Sequence, residues 1–217
     1  MSTILSGPRR PPLAEGPARQ LVVLLHGVGA DGEDLIDLAG ALGPVLPHAA
    51  WVAPNAPWPC DMAPHGHQWF SVQTRTAASR AAGVDRAAPL LNAFLDAELA
   101  RHGLDGSQLI LIGFSQGTMM ALHVGLRRPV APAAIVGFSG VLVAPERLAA
   151  EATARPPILL VHGDADAVLS VDFLDAATGA LKAEGFAVTA VRRPGLGHGI
   201  DQAGLAEAAR FLATPAT

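Results

Sequence analysis

The fold of this chain is decided by the stretch Gly113-Phe114-Ser115-Gln116-Gly117. It reads G-x-S-x-G and lies between an apolar run at 108–112 and a segment with helical spacing at 115–126. A sharp turn from a strand into a helix strains the backbone at such a serine and raises its hydroxyl above the sheet. The alternative is a serine that only caps a helix between two glycines. Because strand, turn and helix follow one another directly, we predict that Ser115 is a nucleophile.

Apolar runs and helix-spaced segments alternate along most of the chain. Continuous apolar runs bounded by Gly or Pro are typical of strands covered on both faces, and they lie at 21–25, 51–53, 108–112, 133–138, 158–161 and 187–192. Helical spacing occurs at 33–42, 84–102, 115–126, 171–184 and 199–213. This alternation predicts an α/β fold, with a mostly parallel central sheet and helices on both faces.

Two segments fall outside the alternation. Residues 1–20 are rich in Pro, Arg and Gly, which is compatible with a frayed arm or an antiparallel edge hairpin. Residues 54–83 form a long loop, and loops of this length in a compact domain are usually functional. The loop is too short to be a cap domain, so we expect it to shape the substrate site. No shift in composition marks a second domain, and we expect a single domain over residues 1–217.

Composition and charge exclude several classes of protein. The net charge is −4 and the basic residues form no dense run, which argues against a nucleic-acid surface. No apolar run approaches the roughly 18 residues that span a membrane, and the N-terminus has no apolar core of a secretion signal. The single cysteine, Cys60, excludes an internal disulfide. We therefore expect a cytoplasmic protein that acts on a small molecule, and a homodimer is compatible with the sequence.

The loop His26-Gly27-Val28-Gly29 follows the apolar run at 21–25. In hydrolases with a G-x-S-x-G turn, a loop at this place supplies one backbone N–H to the oxyanion, and the residue after the serine supplies the second. We assign these two donors to Val28 and Gln116.

The same loop also satisfies a dinucleotide-binding fingerprint, G-x-G-x-x-G, through Gly27, Gly29 and Gly32. That fingerprint expects an acidic residue about twenty positions later, at the end of the next strand. The residues at 51–55 read WVAPN and contain none. A dinucleotide site also leaves the Ser115 turn unexplained, so it is the less favoured interpretation.

An acid and a base are needed beside the nucleophile. His198 lies between two glycines after the last strand, and the chain order serine, aspartate, histidine is satisfied with it. Asp164 and Asp166 both follow the run at 158–161 and both remain candidates for the acid. Asp166 is favoured because it lies further into the loop, while aspartates like Asp164 often only cap turns. His65-x-His67 lacks a convincing third ligand, so we predict no metal site.

Four motifs together resemble the phospholipase/carboxylesterase family of small α/β-hydrolases, which includes acyl-protein thioesterases. They are LLHGVGADG at 24–32, GFSQG at 113–117, the HG pair at 162–163 with Asp166, and the GH pair at 197–198. The resemblance spans roughly residues 20–213. It implies the α/β-hydrolase fold, ester hydrolysis without a metal or organic cofactor, and Asp166 as the acid of the triad. The chain departs from the family at Thr118, where a glycine is common, and at Ala167, where a proline is common.

These observations predict a serine carboxylesterase for short- to medium-chain esters, with Ser115, His198 and Asp166 as its catalytic triad. An acyl-thioesterase or a lysophospholipase with the same triad is the alternative. We expect Trp69, Met62 and Val168 to border the substrate pocket. For Trp69, the competing interpretation is a loop anchor packed on the core.

Overall fold

A seven-stranded sheet forms the centre of the computed structural model, which describes residues 5–214. Its strands, in spatial order, are β1 (Arg9–Arg10), β3 (Ala49–Val52), β2 (Gln20–Leu25), β6 (Leu109–Phe114), β7 (Ala134–Phe138), β8 (Ile158–Gly163) and β9 (Val188–Arg193). All neighbouring strands are parallel except β1, which runs antiparallel to β3. Strands β4 (Trp58–Pro59) and β5 (His67–Gln68) form a separate antiparallel pair.

Seven α-helices flank the sheet within the described residues. They are α1 (Glu33–Ile36), α2 (Leu38–Leu42), α3 (Ala77–His102), α4 (Gln116–Gly125), α5 (Leu148–Glu151), α6 (Asp172–Ala183) and α7 (Gln202–Ala213). Short 3₁₀ turns lie at Gly43–Val45, Gly106–Gln108 and Pro145–Arg147. None of the helices in the described part of the chain is long and apolar enough to cross a membrane.

Each face of the sheet has its own apolar core, because successive side chains of a strand point to opposite faces. On β2, Leu21 and Val23 pack in the cluster that includes side chains of α3, α4 and α6. Val22 and Leu24 pack in the other cluster, with side chains of α1, α2 and α7. The predicted parallel sheet with helices on both faces is confirmed.

Two helix predictions need correction. The segment 33–42 is divided at Asp37 into α1 and α2 and is not one helix. The helix expected over 84–102 begins seven residues earlier, where the Thr76 side chain accepts a hydrogen bond from the Ser79 N–H at 3.1 Å. Residues 77–83 are mostly alanine and carry no leucine periodicity, so the apolar pattern could not detect this first part of α3. The loop after β3 therefore ends at Thr76, and not at residue 83.

The described part of the N-terminal segment contributes an edge strand and no hairpin of its own. Arg9 and Arg10 pair with Trp51 and Val52 of β3. The Arg9 guanidinium also donates to the buried carboxylate of Glu98 on α3, at 2.6 Å. Residues 1–4, part of the predicted arm, lie outside the described residues.

The loop between β3 and α3 is attached to the loop that follows β2. In the small hairpin, Trp58 pairs with Gln68, and His67 forms an isolated bridge with Ala30. The bridge between His67 and Ala30 joins the predicted substrate loop to the predicted oxyanion loop.

Candidate active site

Ser115 lies in a strained turn between β6 and α4. Its backbone φ angle is +53°, a value that residues other than glycine rarely adopt. Its side chain makes no capping hydrogen bond to the helix. A Cβ on Gly117 would lie 1.8 Å from the Leu25 carbonyl oxygen, and one on Gly113 would lie 2.5 Å from the Gly117 backbone. Both positions therefore require glycine. Since the hydroxyl is not used as a cap, the strain serves to present it at the end of the sheet.

The three predicted triad side chains are brought into one hydrogen-bonded chain. His198 Nε2 lies 3.0 Å from the Ser115 hydroxyl oxygen, and His198 Nδ1 lies 2.7 Å from Asp166 Oδ2. Each residue follows the carboxyl end of a different parallel strand: β6, β8 and β9. Ligands in open α/β sheets bind at this edge.

The environment of Asp166 keeps its carboxylate ionised. Burial raises the pKa of this carboxyl, but hydrogen bonds from the Leu169 N–H, His198 and the Val168 N–H outweigh that effect and hold the pKa below its ordinary value. Oδ1 accepts from Val168 at 2.8 Å and from Leu169 at 2.9 Å, which leaves Oδ2 to His198. An ionised acceptor requires the proton on Nδ1 of His198, so the lone pair of Nε2 points to Ser115.

Asp164, the competing acid, binds elsewhere. Its Oδ1 accepts a hydrogen bond from the Gly195 N–H at 2.7 Å, and its side chain is exposed. Asp164 thus supports the loop that carries His198 without touching the imidazole. Of the two aspartates, Asp166 is the one that contacts the imidazole of His198.

Val28 and Gln116, the residues predicted to supply the oxyanion N–H groups, both border the cleft at Ser115. Within residues 5–214, neither N–H donates to another protein group. The loop that carries Val28 is fixed on both sides: the Gly29 N–H donates to the His67 carbonyl at 2.8 Å, and His26 Nε2 accepts from the Ala56 N–H at 2.9 Å. Two free donors on a rigid loop and a helix N-terminus suit a developing oxyanion.

The glycines of the dinucleotide fingerprint have packing roles. A Cβ on Gly32 would lie 2.0 Å from the Ala53 carbonyl oxygen, so this glycine permits the start of α1 to approach the end of β3. Gly29 has a φ of +83°, which lets the loop turn toward the hairpin formed by β4 and β5. The loop geometry is therefore explained without a nucleotide.

Trp69 does not border the cleft, and the prediction that it walls the pocket is wrong. Its side chain is fully buried, and its Nε1–H donates to the His26 carbonyl at 3.1 Å. The Gln116 side chain accepts from the Trp69 N–H at 2.8 Å and donates to the Phe70 carbonyl at 2.7 Å. Trp69 and Gln116 thus anchor the loop to the nucleophile turn.

A cleft of about 270 Å³ opens at Ser115. Its apolar lining consists mainly of Phe70, Val72, Met119, Val168, Leu169 and Phe173. Val168 borders the cleft as predicted. Met62 does not: it is 56% exposed and lies near the tip of the loop after β4, so its prediction as a pocket residue is wrong.

Sequence reasoning missed a second histidine beneath the triad. His162, at the end of β8, is almost fully buried, and its Nε2–H donates to the Leu169 carbonyl at 2.9 Å. The same nitrogen lies 3.2 Å from Asp166 Oδ2. His162 therefore fixes the loop that positions Asp166. Its place directly before Gly163 in the HG pair was the available signal.

Within residues 5–214, no three His, Cys, Asp or Glu side chains are grouped as metal ligands. His67 of the His65-x-His67 pair is instead part of β5 and pairs with Pro59 and Ala30.

Comparison with known proteins agrees with this geometry. The family described as phospholipase/carboxylesterase matches residues 13–215. Esterase YpfH of Escherichia coli (strain K12) is 34% identical over 185 residues, which cover 85% of this chain and 78% of that protein. Acyl-protein thioesterase 1 of Schizosaccharomyces pombe is 33% identical over 126 residues, covering 56% of this chain and 55% of that protein.

Among solved structures, the crystal structure of esterase PE8 superposes with a TM-score of 0.93 at 45% identity, covering 96% of this chain and 98% of that one. Arabidopsis thaliana SOBER1, as its L63A variant, superposes with a TM-score of 0.80 at 25% identity, covering 90% and 98%. Since the family match extends over nearly the whole chain, this protein belongs to the phospholipase/carboxylesterase family and is a carboxylic ester hydrolase with the α/β-hydrolase fold.

Proposed function

We propose that this chain is a serine carboxylesterase that cleaves short- to medium-chain esters through an acyl-enzyme on Ser115. The observation that carries the proposal is the hydrogen-bonded chain from Ser115 through His198 to Asp166, which opens onto an apolar cleft. Such a chain can transfer the serine proton as the hydroxyl attacks a carbonyl carbon.

In the first half of the reaction, His198 Nε2 takes the Ser115 proton while the serine oxygen bonds to the ester carbonyl carbon. The negative charge that develops on the carbonyl oxygen is stabilised by the N–H groups of Val28 and Gln116. His198 then gives its proton to the leaving alcohol, and the acyl group remains on Ser115. In the second half, His198 takes a proton from water as its oxygen attacks the acyl carbon. The bond from that carbon to the Ser115 oxygen then breaks, His198 returns the proton to the serine oxygen, and the free acid leaves.

Asp166 stabilises the imidazolium that forms in each half. Its carboxylate stays ionised because of the hydrogen bonds that lower its pKa, so it holds Nδ1 protonated throughout. None of these steps requires a metal or an organic cofactor.

The size of the cleft supports a small acyl group. Its volume of about 270 Å³ lies just below the range of ordinary ligand pockets, roughly 300–1,000 Å³. A long lipid chain would extend beyond its apolar lining. A thioester carbonyl could react at the same triad, and one relative is named an acyl-protein thioesterase.

A series of nitrophenyl esters of increasing acyl length tests the proposal, with a long-chain acyl-thioester and a lysophospholipid beside it. We expect kcat/KM to rise over the first few carbons, by roughly 0.8 kcal/mol of binding per buried methylene, and then to fall when the cleft is full. Turnover of only the long-chain thioester or the lysophospholipid would contradict the carboxylesterase proposal.

Two variants test whether the cleft determines how kcat/KM depends on acyl chain length. Val168→Trp fills part of the cleft and should shift the optimum to shorter acyl groups. Met62→Trp is the matched control, since Met62 is as exposed as Val168 but does not border the cleft. An optimum that moves equally in both variants would show that the cleft does not select chain length.

A further inference from the structure

Two arginines, Arg75 and Arg80, border the cleft at Ser115, whose lining in the described chain contains no acidic residue. The whole chain has a net charge of −4, so a basic cleft is not a general property of this surface. Charge of one sign in a cleft with apolar walls focuses the electric field and attracts ligands of the opposite sign.

Arg80 is held at the cleft wall without a carboxylate partner. Its guanidinium lies over the Phe173 ring, with Cζ 5.7 Å from the ring centre, and one of its N–H groups donates to the Arg75 carbonyl at 3.0 Å. A guanidinium has five N–H donors. Within residues 5–214 no other protein acceptor bonds to those of Arg80, and no carboxylate lies within 4.0 Å of it.

Several other arginines of the molecule have acidic partners. Arg147 binds Asp85 at 2.9 Å, and Arg193 binds Asp201 at 2.9 Å. Arg86 and Arg155 also lack a carboxylate partner in the described chain, but they stack on Trp58 and Phe186, and neither borders this cleft. Arg80 therefore combines free donors with a place at the cleft wall.

Helix stability does not explain Arg80. It is the fourth residue of α3, which begins at Ala77 after its cap at Thr76. The N-terminal turn of a helix carries a partial positive charge, which favours acidic side chains and disfavours cations. A basic residue here costs helix stability, while the helix end adds to the positive potential at this wall of the cleft.

We propose that Arg80, together with Arg75, binds an anionic group, such as a carboxylate, that the ester substrate carries away from its scissile bond. This inference rests on the proposed esterase function and specifies its substrate class. The planar guanidinium matches the two oxygens of a carboxylate, and its position against Phe173 and the apolar lining strengthens the charge-assisted bond.

The test compares mono-4-nitrophenyl adipate, which has a free carboxylate on its acyl side, with its neutral methyl ester. A second pair, 4-(hexanoyloxy)benzoate and its methyl ester, places the carboxylate on the leaving group. For the wild-type protein we expect at least one anionic ester to exceed its neutral partner in kcat/KM by about tenfold, chiefly through a lower KM, because the bond is equally present in ground and transition states. The pair with the larger ratio of anionic to neutral kcat/KM identifies whether the acyl side or the leaving-group side of the ester faces Arg80.

The ratio of the two kcat/KM values in one protein cancels any general loss of activity. Arg80→Gln should bring this ratio down about tenfold, and Arg80→Lys should retain part of it by keeping the charge. Added salt should lower the ratio in the wild-type protein.

Arg155→Gln is the matched control. Arg155 also stacks on a phenylalanine, Phe186, at 4.2 Å, but it borders a separate cavity beside β7 and β9. This variant should keep the wild-type ratio. Neutral esters hydrolysed as fast as both anionic ones, or a ratio unchanged by Arg80→Gln, would overturn the proposal. If no ester of either charge is hydrolysed, the esterase function itself fails.

Discussion

Asp164 and Asp166 stand two residues apart in one loop and bind different partners. Asp166 holds the imidazole of His198, whereas Asp164 bonds to the Gly195 backbone. Asp166→Asn should lower kcat by about 10⁴-fold, because the amide favours the wrong imidazole tautomer. Asp164→Asn keeps an acceptor for the Gly195 N–H and should cost far less. Steady-state kinetics of the two variants on one nitrophenyl ester would measure both effects, and the opposite ranking would refute this assignment.

Thr118 shows how a departure from the family pattern is accommodated. Its hydroxyl oxygen lies 2.8 Å from the Gly113 carbonyl oxygen and 2.9 Å from the Phe138 carbonyl oxygen. The buried hydroxyl therefore has hydrogen-bond acceptors within reach. Its methyl group fits because two neighbours lack side chains: a Cβ on Gly137 would lie 2.5 Å from it, and one on Gly140 would lie 2.4 Å from it. The sequence pattern marked Thr118 as unusual but could not indicate its compensating glycines.

At the scale of elements, the loop after β3 depends on one buried side chain. Trp69 has no exposed surface and bonds to the His26 carbonyl. Trp69→Ala should destabilise the protein by roughly 3–5 kcal/mol, the usual cost of removing a large buried aromatic side chain. Trp69→Phe should cost less, since it keeps most of the packing and loses the Nε1–H bond. Urea denaturation would give the free energies of unfolding.

Trp58→Ala is the comparison for this loop. Trp58 is only half-buried and stacks against the Arg86 guanidinium at 4.4 Å, so its loss should be much less costly. Equal destabilisation by Trp58→Ala and Trp69→Ala would contradict the anchor role of Trp69.

The sequence predicted the sheet better than the loops because strands and loops depend on different information. Buried strands such as β2 are continuous apolar runs, and their pattern is visible locally. The orientation of the Trp69 side chain toward the core depends on hydrogen bonds with Gln116 and His26, which are 47 and 43 residues away in the chain. Such distant polar contacts leave no periodic signal. The proximity of Ser115, Asp166 and His198 was predictable because each residue follows the end of a parallel strand, in a fixed chain order.

At the scale of the whole molecule, a buried histidine makes stability depend on pH. Burial, with a contribution from Arg127, lowers the pKa of His123 to about 4, while an unfolded histidine titrates near 6.5. Between these values the unfolded chain binds a proton that the native protein does not, so stability falls as the pH drops from about 6.5 to about 4. The loss should be on the order of 1–3 kcal/mol.

Chemical denaturation of the wild-type protein and His123→Gln between pH 4.5 and 7.5 would measure this contribution. The slope of unfolding free energy against pH should be shallower in the variant, because the group that titrates only when unfolded is gone. Identical slopes would show that His123 does not titrate differently in the two states.

The most direct test of the central claim is labelling with a fluorophosphonate, followed by mass spectrometry of the modified peptide. Ser115 should be the labelled residue, and Ser115→Ala should abolish labelling and lower kcat by about 10⁶-fold. Ser139→Ala is the control: Ser139 also has a positive φ, +47°, at the end of a strand, but it is buried, and its hydroxyl faces the Gly199 carbonyl. That variant should still be labelled at Ser115. Labelling of Ser139, or labelling that persists in Ser115→Ala, would contradict the proposed triad.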